Sequence, residues 1–403
     1  MKRPLEGIKV LEWGIFHAGP GGPAILADMG ADVIKIEQPG VGDPVRKIIR
    51  YKDINFNLEG DKNLFFEAAN RVKKSITIDL SCEKGREIAY NLARKSDVFL
   101  TNLRSSTVKS YKMDYQTLSK INPNLIYASV TSYGSRGPDG DQGGYDYQGQ
   151  ARSGFMFNMG ETDTKPLILQ FAVIDQATAI MASYQIMIAL FMRERFGIAQ
   201  KVEVSLLGSA LYLMYLNNLT ALLTGKEIPV HNQATADPQR NYYQCKDGKW
   251  IIQTQLPDSG KWKKVCEVLG HPELGKDPRY DTRDKRLDLS EELVAVFNEA
   301  FLTKTRDEWL KLFKGNGLMI CPVNRTMEVM EDPQVIENEY IVDYNHPVLG
   351  EIRIPGFPIR FSQAEINTNL SAPEFGEHTE SILKEVGGYS DKEIAHFKKE
   401  KVI

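Results

Sequence analysis

The sequence predicts an α/β protein, with a mostly parallel sheet covered by helices on both faces and a second, smaller α/β unit. Three observations carry that expectation. Apolar strand-like runs alternate with helical runs from Ile8 to Ser205, and repeated β-α-β units build parallel sheets with helices on both faces. The stretch Phe171–Gly197 is apolar on nearly every face from Ala177 to Met192, the mark of a helix buried in a core or crossing a membrane. Composition then turns polar over Gly225–Arg240, a linker, and a new α/β pattern begins at Asn241.

Taken in order, Ile8–Trp13 reads as a buried strand and Ala18–Gly22 as a Gly/Pro turn. A short helix over Pro23–Met29 stops at Gly30, and Asp32–Glu37 is the next strand. The turn lacks the G-x-G-x-x-G spacing, so a dinucleotide site has little support. Lys74–Leu80 alternates as a strand, Glu83–Lys95 is a helix, Asp97–Thr101 a strand, Tyr115–Asn122 a helix and Leu125–Val130 a strand. Ligands of such sheets sit beyond the C-terminal strand ends, here Gly14–Gly22, Asn102–Ser106 and Thr131–Gly140. Gly134–Gly154 is a long glycine-rich loop of the kind that usually carries function.

After the apolar helix come a strand at Lys201–Ser205 and a second apolar helix at Leu206–Leu223. In the smaller unit, Tyr242–Cys245 and Trp250–Gln255 pair across Asp247-Gly248, a hairpin signal. Helices follow at Lys261–Leu269, Glu291–Leu302 and Arg306–Lys314. Pro333–Phe361 reads as a return path and Ser381–Val402 as helical.

The chain has 403 residues and a net charge of −3. That charge offers no bulk attraction for nucleic acid or an anionic membrane. Asp175, Gln176, Ser183 and Gln185 interrupt the apolar helix, leaving a run too short to span a bilayer. No secretory signal is evident, and Cys82, Cys245, Cys266 and Cys321 form no C-x-x-C pair. A cytoplasmic protein without disulfide framework or metal site is expected. The chain carries no P-loop, H-E-x-x-H or G-x-S-x-G. His271, His346 and His396 read as surface or loop residues.

Asp175 draws attention because it follows Phe171-Ala172-Val173-Ile174 at the expected helix start. Desolvation would raise its pKa, while helix N–H groups would lower it. A poorly hydrated carboxylate is a competent nucleophile. The plainer reading is a helix N-cap, worth about 1 kcal/mol.

Several segments, in order, resemble the family III CoA-transferases, the group of formyl-CoA and crotonobetainyl-CoA transferases. They are GIKVLEWGIFHAGPGGPAILADMGADVIKIEQPGVGDPVR, NRVKKSITIDL, DVFLTNLRSS, INPNLIYASVTSYGSRGP, GGYDYQGQARSG, VIDQATA and the C-terminal FGEHTESILKEVGGYSDKEI. The resemblance covers nearly the whole chain. It implies a Rossmann-like large domain made from residues 1–225 and 330–403, a small α/β domain at 226–329, and an interlocked homodimer. It also implies that Asp175 attacks an acyl-CoA thioester, giving a mixed anhydride and then an aspartyl-CoA thioester before an acceptor acid takes the CoA. The CoA thioester is then a substrate, with no permanently bound cofactor.

On the same resemblance, Phe16, His17, Ala18 and Tyr145 belong to the active-site loops. Family members often carry Gln at the His17 position, and an imidazole N–H can donate in its place. Gln38, Asn102, Leu103, Arg104, Tyr133 and Arg136 fall at CoA-contacting positions. The segment Gln255–Gly260 keeps one glycine where formyl-CoA transferase has a glycine-rich loop. This implies a different acceptor, and with TKTRDEWLKLF it is similar to relatives acting on 2-hydroxy or aryl acids. The alternative is an α-methylacyl-CoA racemase, which shares the fold and needs an acid/base pair. Racemases carry His in the G-x-D motif where this chain has Tyr145, a poor base at neutral pH.

Overall fold

The structure is a computed structural model that describes residues 2–160, 165–256 and 260–403. Pro257, Asp258 and Ser259 of the expected acceptor loop therefore lie outside the described residues. The chain divides into two units. One holds Met1–Met156, Ile168–Lys226 and Asn338–Ile403; the other holds Phe157–Leu167 and Glu227–Glu337.

The larger unit is built on six parallel strands: β1 (Lys9–Trp13), β2 (Asp32–Glu37), β3 (Lys74–Thr77), β4 (Val98–Thr101), β5 (Ile126–Thr131) and β6 (Lys201–Ser205). Their order is β3-β2-β1-β4-β5-β6, with Val10 beside both Val33 and Val98. The chain winds outward from β1 in one direction and then resumes at β4 in the other. A crevice therefore opens between the C-terminal ends of β1 and β4, where doubly wound sheets bind ligands. One face is covered by α1 (Ala18–Asp28) and α3 (Val173–Phe196), whose Leu26, Ala182 and Ile186 share a core with Val98 and Ala128. The other face packs Ile88, Leu92 and Leu118 with the C-terminal Ile382, Ile394 and Phe397. Both ends of the chain thus complete one unit.

Four expectations need correction. The Gly/Pro run Ala18–Gly22 is not a turn, because α1 begins at Ala18. Pro20 sits in the first turn, where a missing N–H costs nothing. The glycines let α1 lie directly on α3: a Cβ on Gly21 would fall 2.7 Å from Ala179 Cβ, and one on Gly22 3.0 Å from Ala182 Cβ. Second, the loop Gly134–Gly154 contains a helix, α2 (Asp146–Arg152). Third, the expected helix Leu206–Leu223 breaks at Met214 into α4 (Leu206–Leu213) and α5 (Tyr215–Thr224), bent by 76°. Fourth, His346 is buried, not superficial: its Nδ1 accepts from the Val348 and Leu349 amides at 3.1 Å each. Burial lowers its pKa.

The long apolar helix also differs from expectation. At 24 residues, α3 is long and apolar enough to cross a membrane by length and composition alone. Only one side of it is buried, the face carrying its own Ile174, Ala179, Ala182 and Ile186. Ile180, Tyr184, Ile188 and Phe191 form an exposed apolar stripe at helical spacing. On α5, Leu216, Leu222 and Leu223 are likewise exposed.

The second unit pairs Arg240–Gln244 with Trp250–Thr254 antiparallel, then adds Ile320–Val323. Its core stacks Tyr243 on Phe301 at 4.6 Å, beside Trp309 and Phe313.

Candidate active site

Strand β1 delivers the segment Gly14–His17 to the crevice, and its backbone is fixed from all sides. Asn102, just past β4, accepts from the Ile15 amide at 2.9 Å and donates to the Ile15 carbonyl at 2.8 Å. Phe16 holds a left-handed conformation, φ 62°, which is costly for a residue with a Cβ. Its amide is gripped by Asp43 Oδ1 at 3.1 Å. Beneath, Lys35 Nζ donates to the Gly14 carbonyl at 2.7 Å and pairs with Glu12 at 2.9 Å and Asp43 at 3.0 Å. Lys73 Nζ pairs with the other oxygen of Glu12 at 2.5 Å and donates to the Pro20 carbonyl at 2.8 Å.

These charges are fully buried, so each survives only because it is partnered. Burial alone would depress Lys35, but the carboxylates of Glu12, Asp43 and Glu37 hold it above its ordinary value. Burial pushes Lys73 down to about 7, with repulsion from Lys35 adding to it and the attraction of Glu12 and Asp43 only partly opposing it. Strained backbone such as that of Phe16 gathers at functional sites.

On the other wall, α3 starts after two more strained residues, Phe171 (φ 63°) and Ala172 (φ 62°). Ala172 is the N-cap and has no side chain to cap with. Asp175 is therefore not the N-cap but lies inside the first turn. The capping carboxylate comes from Asp146 of α2, whose Oδ2 accepts from the Ile174 amide at 2.6 Å and the Asp175 amide at 3.1 Å. No donor to the Asp175 carboxylate is found among the described residues. Desolvation, reinforced by the charge of Asp146, pushes the Asp175 pKa up to about 7.

A cleft of about 400 Å³ brings together Phe16, Ala18, Asn102, Leu103, Arg104, Tyr145 and Asp175. Tyr145 is 60% exposed and stands edge-on to Phe16 at 5.4 Å. Arg104 opens the short helix Ser105–Ser110 and lies against Gly143, where a Cβ would come within 2.7 Å of its guanidinium.

His17 sits behind this lining. Its Nε2 meets Gln176 Oε1 at 2.8 Å, and its buried Nδ1 has no partner among the described residues. Burial lowers its pKa, so the ring is neutral at pH 7. Three other expected residues fall outside the lining. Gln38 is half-buried and donates to Asp79 at 3.0 Å. Tyr133 is covered by the Arg152 guanidinium, 4.7 Å from its ring centre. Arg136 stands exposed on the loop.

The sequence offers Asp146 only as the last residue of the G-x-D motif, with no sign of its capping role, and does not point to the buried Glu12–Lys35–Asp43–Lys73 cluster as a whole. A signal existed for part of it: Glu12 and Lys35 each interrupt an otherwise apolar strand, and a charge there must be partnered or misplaced.

The family model for CoA-transferase family III matches residues 5–379. The chain belongs to this family and is an acyl-CoA:carboxylate CoA-transferase. Among its relatives is succinyl-CoA:glutarate CoA-transferase of Mus musculus, 33% identical over 97% of this chain and 88% of the relative. The (R)-2-hydroxy-4-methylpentanoate CoA-transferase of Clostridioides difficile is 31% identical over 99% of each chain. The crystal structure of a CAIB/BAIF family protein from Brucella suis superposes with a TM-score of 0.85 at 31% identity, covering 96% of this chain and all of that one.

Proposed function

We propose that the protein moves CoA from an acyl-CoA donor to a carboxylic acid acceptor through covalent intermediates on Asp175. The observation that carries this reading is Asp175 itself, a carboxylate without hydrogen-bond donors among the described residues, raised to about 7, in the crevice between β1 and β4. Such a group retains nucleophilicity at neutral pH. An Asp175 oxygen attacks the thioester carbonyl and the C–S bond breaks, releasing CoA thiolate and leaving a mixed anhydride. The thiolate attacks the aspartyl carbonyl and the donor acid departs. The acceptor carboxylate then attacks the aspartyl-CoA thioester, and the returning thiolate takes the acceptor acyl group, freeing Asp175. Every bond formed is matched by one broken, and water must be kept out because it hydrolyses the anhydride.

CoA enters as substrate, bound along Asn102, Leu103 and Arg104, where a guanidinium suits phosphate. Gln38, Tyr133 and Arg136 belong to the same reading only as outer contacts. Transfer is favoured over racemisation because Tyr145, not histidine, holds the G-x-D position. The proposal includes an interlocked homodimer, which would cover the exposed stripes of α3 and α5. A cytoplasmic setting suits the four free cysteines.

The test is to incubate the enzyme with acyl-CoA, quench with hydroxylamine and locate the modified residue by mass spectrometry. Modification at Asp175 is expected, with a turnover loss of roughly 10³-fold or more in Asp175→Ala. An unmodified Asp175, or near-full activity of the variant, refutes the mechanism.

A further inference from the structure

The first turn of α3 is capped in an unusual way. An acidic residue near a helix N-terminus ordinarily draws stability from the free amides and the positive end of the dipole. Asp175 occupies such a position, yet the nearest amides are already taken. Asp146 reaches in from α2, 6% exposed, and accepts from both the Ile174 and Asp175 amides. Its other oxygen accepts from Gln150 Nε2 at 2.5 Å. Gln150 is itself locked on the Leu169 backbone, donating to its carbonyl at 2.8 Å and accepting from its amide at 3.0 Å. All three partners of Asp146 are N–H donors, so the carboxylate acts purely as an acceptor. Ala172, the N-cap of α3, has φ 62° and no side-chain cap of its own, so this cap comes from Asp146.

We infer that Asp146 is a positioning residue that keeps Asp175 reactive: it fixes the first turn of α3 while denying the Asp175 carboxylate the amides and the favourable field that the helix N-terminus would supply. The inference rests on the reading of Asp175 as nucleophile. A carboxylate stabilised by helix amides is a weak base and a weak nucleophile. One held beside a second negative charge, with those amides occupied, is stronger on both counts. Burial and the charge of Asp146 together account for the upward displacement of Asp175.

The other groups facing this turn do not reverse that field. His17, beside α1, is kept neutral by burial and spends its Nε2 on Gln176. Lys73 is consumed by Glu12 and the Pro20 and Asn70 oxygens below α1. Arg104 lines the same cleft from beyond β4, and α4 presents Leu206.

Asp146→Asn tests this, because it keeps an oxygen for the two amides and removes the charge. The acid limb of kcat/KM should fall by about one pH unit, and kcat at pH 8 should drop roughly threefold through lower basicity. Hydroxylamine should still mark Asp175. A purely structural role would lower the amount of active enzyme without moving the limb. An unmoved limb with Asp175 still marked overturns the inference and leaves the nucleophile standing. Failure to mark Asp175 in the wild type removes the nucleophile and the inference with it.

If the variant does not fold, the wild type decides by carbon NMR of labelled aspartates, with Asp175 assigned from Asp175→Asn. The Asp146 carboxyl carbon, whose Oδ2 is bonded to the Asp175 amide, should sense the ionisation of Asp175. An Asp175 midpoint well above the ordinary range, with an inflection at the same pH in the Asp146 signal, supports the inference. A midpoint in the ordinary range, or no shared inflection, overturns it.

Discussion

Gly21→Ala probes the contact on which the site is built. A methyl group added at Gly21 would meet Ala179 Cβ at 2.7 Å, whereas carbon atoms settle about 3.6 Å apart, so α1 and α3 must part by roughly 0.9 Å. Alanine gains about 1 kcal/mol over glycine as a helix former. Overpacking costs about 1–3 kcal/mol. Ala179 has no rotamer with which to yield, and α1 is held by Lys73 on the Pro20 carbonyl. The upper part of that range therefore applies, and the net loss is about 1–2 kcal/mol. The effect on turnover should be larger in proportion. The His17–Gln176 contact of 2.8 Å crosses this same junction, one residue from Asp175, and a displacement of about 1 Å can cost on the order of 10²-fold in rate. Urea unfolding and steady-state kinetics measure the two effects, and Gly21→Ala/Ala179→Gly, which reopens the space, should recover part of both. A Gly21→Ala protein with wild-type midpoint and wild-type kcat refutes the reasoning. So does a double variant no better than the single one.

Three further outcomes are expected. The Asp175 carboxyl is raised from 3.8 to about 7 in the folded protein, so the folded state keeps its proton after the unfolded chain has lost it. Stability therefore declines as pH rises from about 4 to about 7; Asp175→Asn should raise Tm above pH 7, with the gain vanishing near pH 4, and no gain at pH 8 contradicts the shift. Ala172→Gly should relieve a left-handed alanine worth roughly 1 kcal/mol while loosening the start of α3, so chemical denaturation should show a gain and kinetics a loss. A destabilised variant would exclude the strain. Light scattering should give twice the chain mass at all practical dilutions, and a stable, active monomer would dismiss the interlocked arrangement.

Where local pattern decides structure, the sequence was informative. Lys201–Ser205 alternates and folds within the bounds read from it. Of the apolar lead-in to Asp175, only Ile174 is fully buried, while Phe171 is 46% exposed. Where tertiary contact decides, pattern failed. Glycine and proline at Ala18–Gly22 are turn residues by propensity, yet they form helix, and Gly21 and Gly22 let that helix press on α3 more closely than a side chain would allow. The break at Met214 carries no glycine or proline to announce it. The role of Asp146 depends on two amides more than 25 residues away, a distance no motif records.

The buried charges under Gly14–His17 constrain how this protein can diverge. Losing any one of Glu12, Lys35 or Asp43 strands its partner in a dry interior, at a cost of about 3–5 kcal/mol. Single substitutions there are closed to drift, and change is open only to paired replacements that arrive together. Arg104 and Tyr145, exposed on the rim of the same cleft, carry no such debt to a neighbour's charge. Lineages descending from such a chain can vary the rim residue by residue, while the bed beneath Gly14–His17 stays as it was inherited.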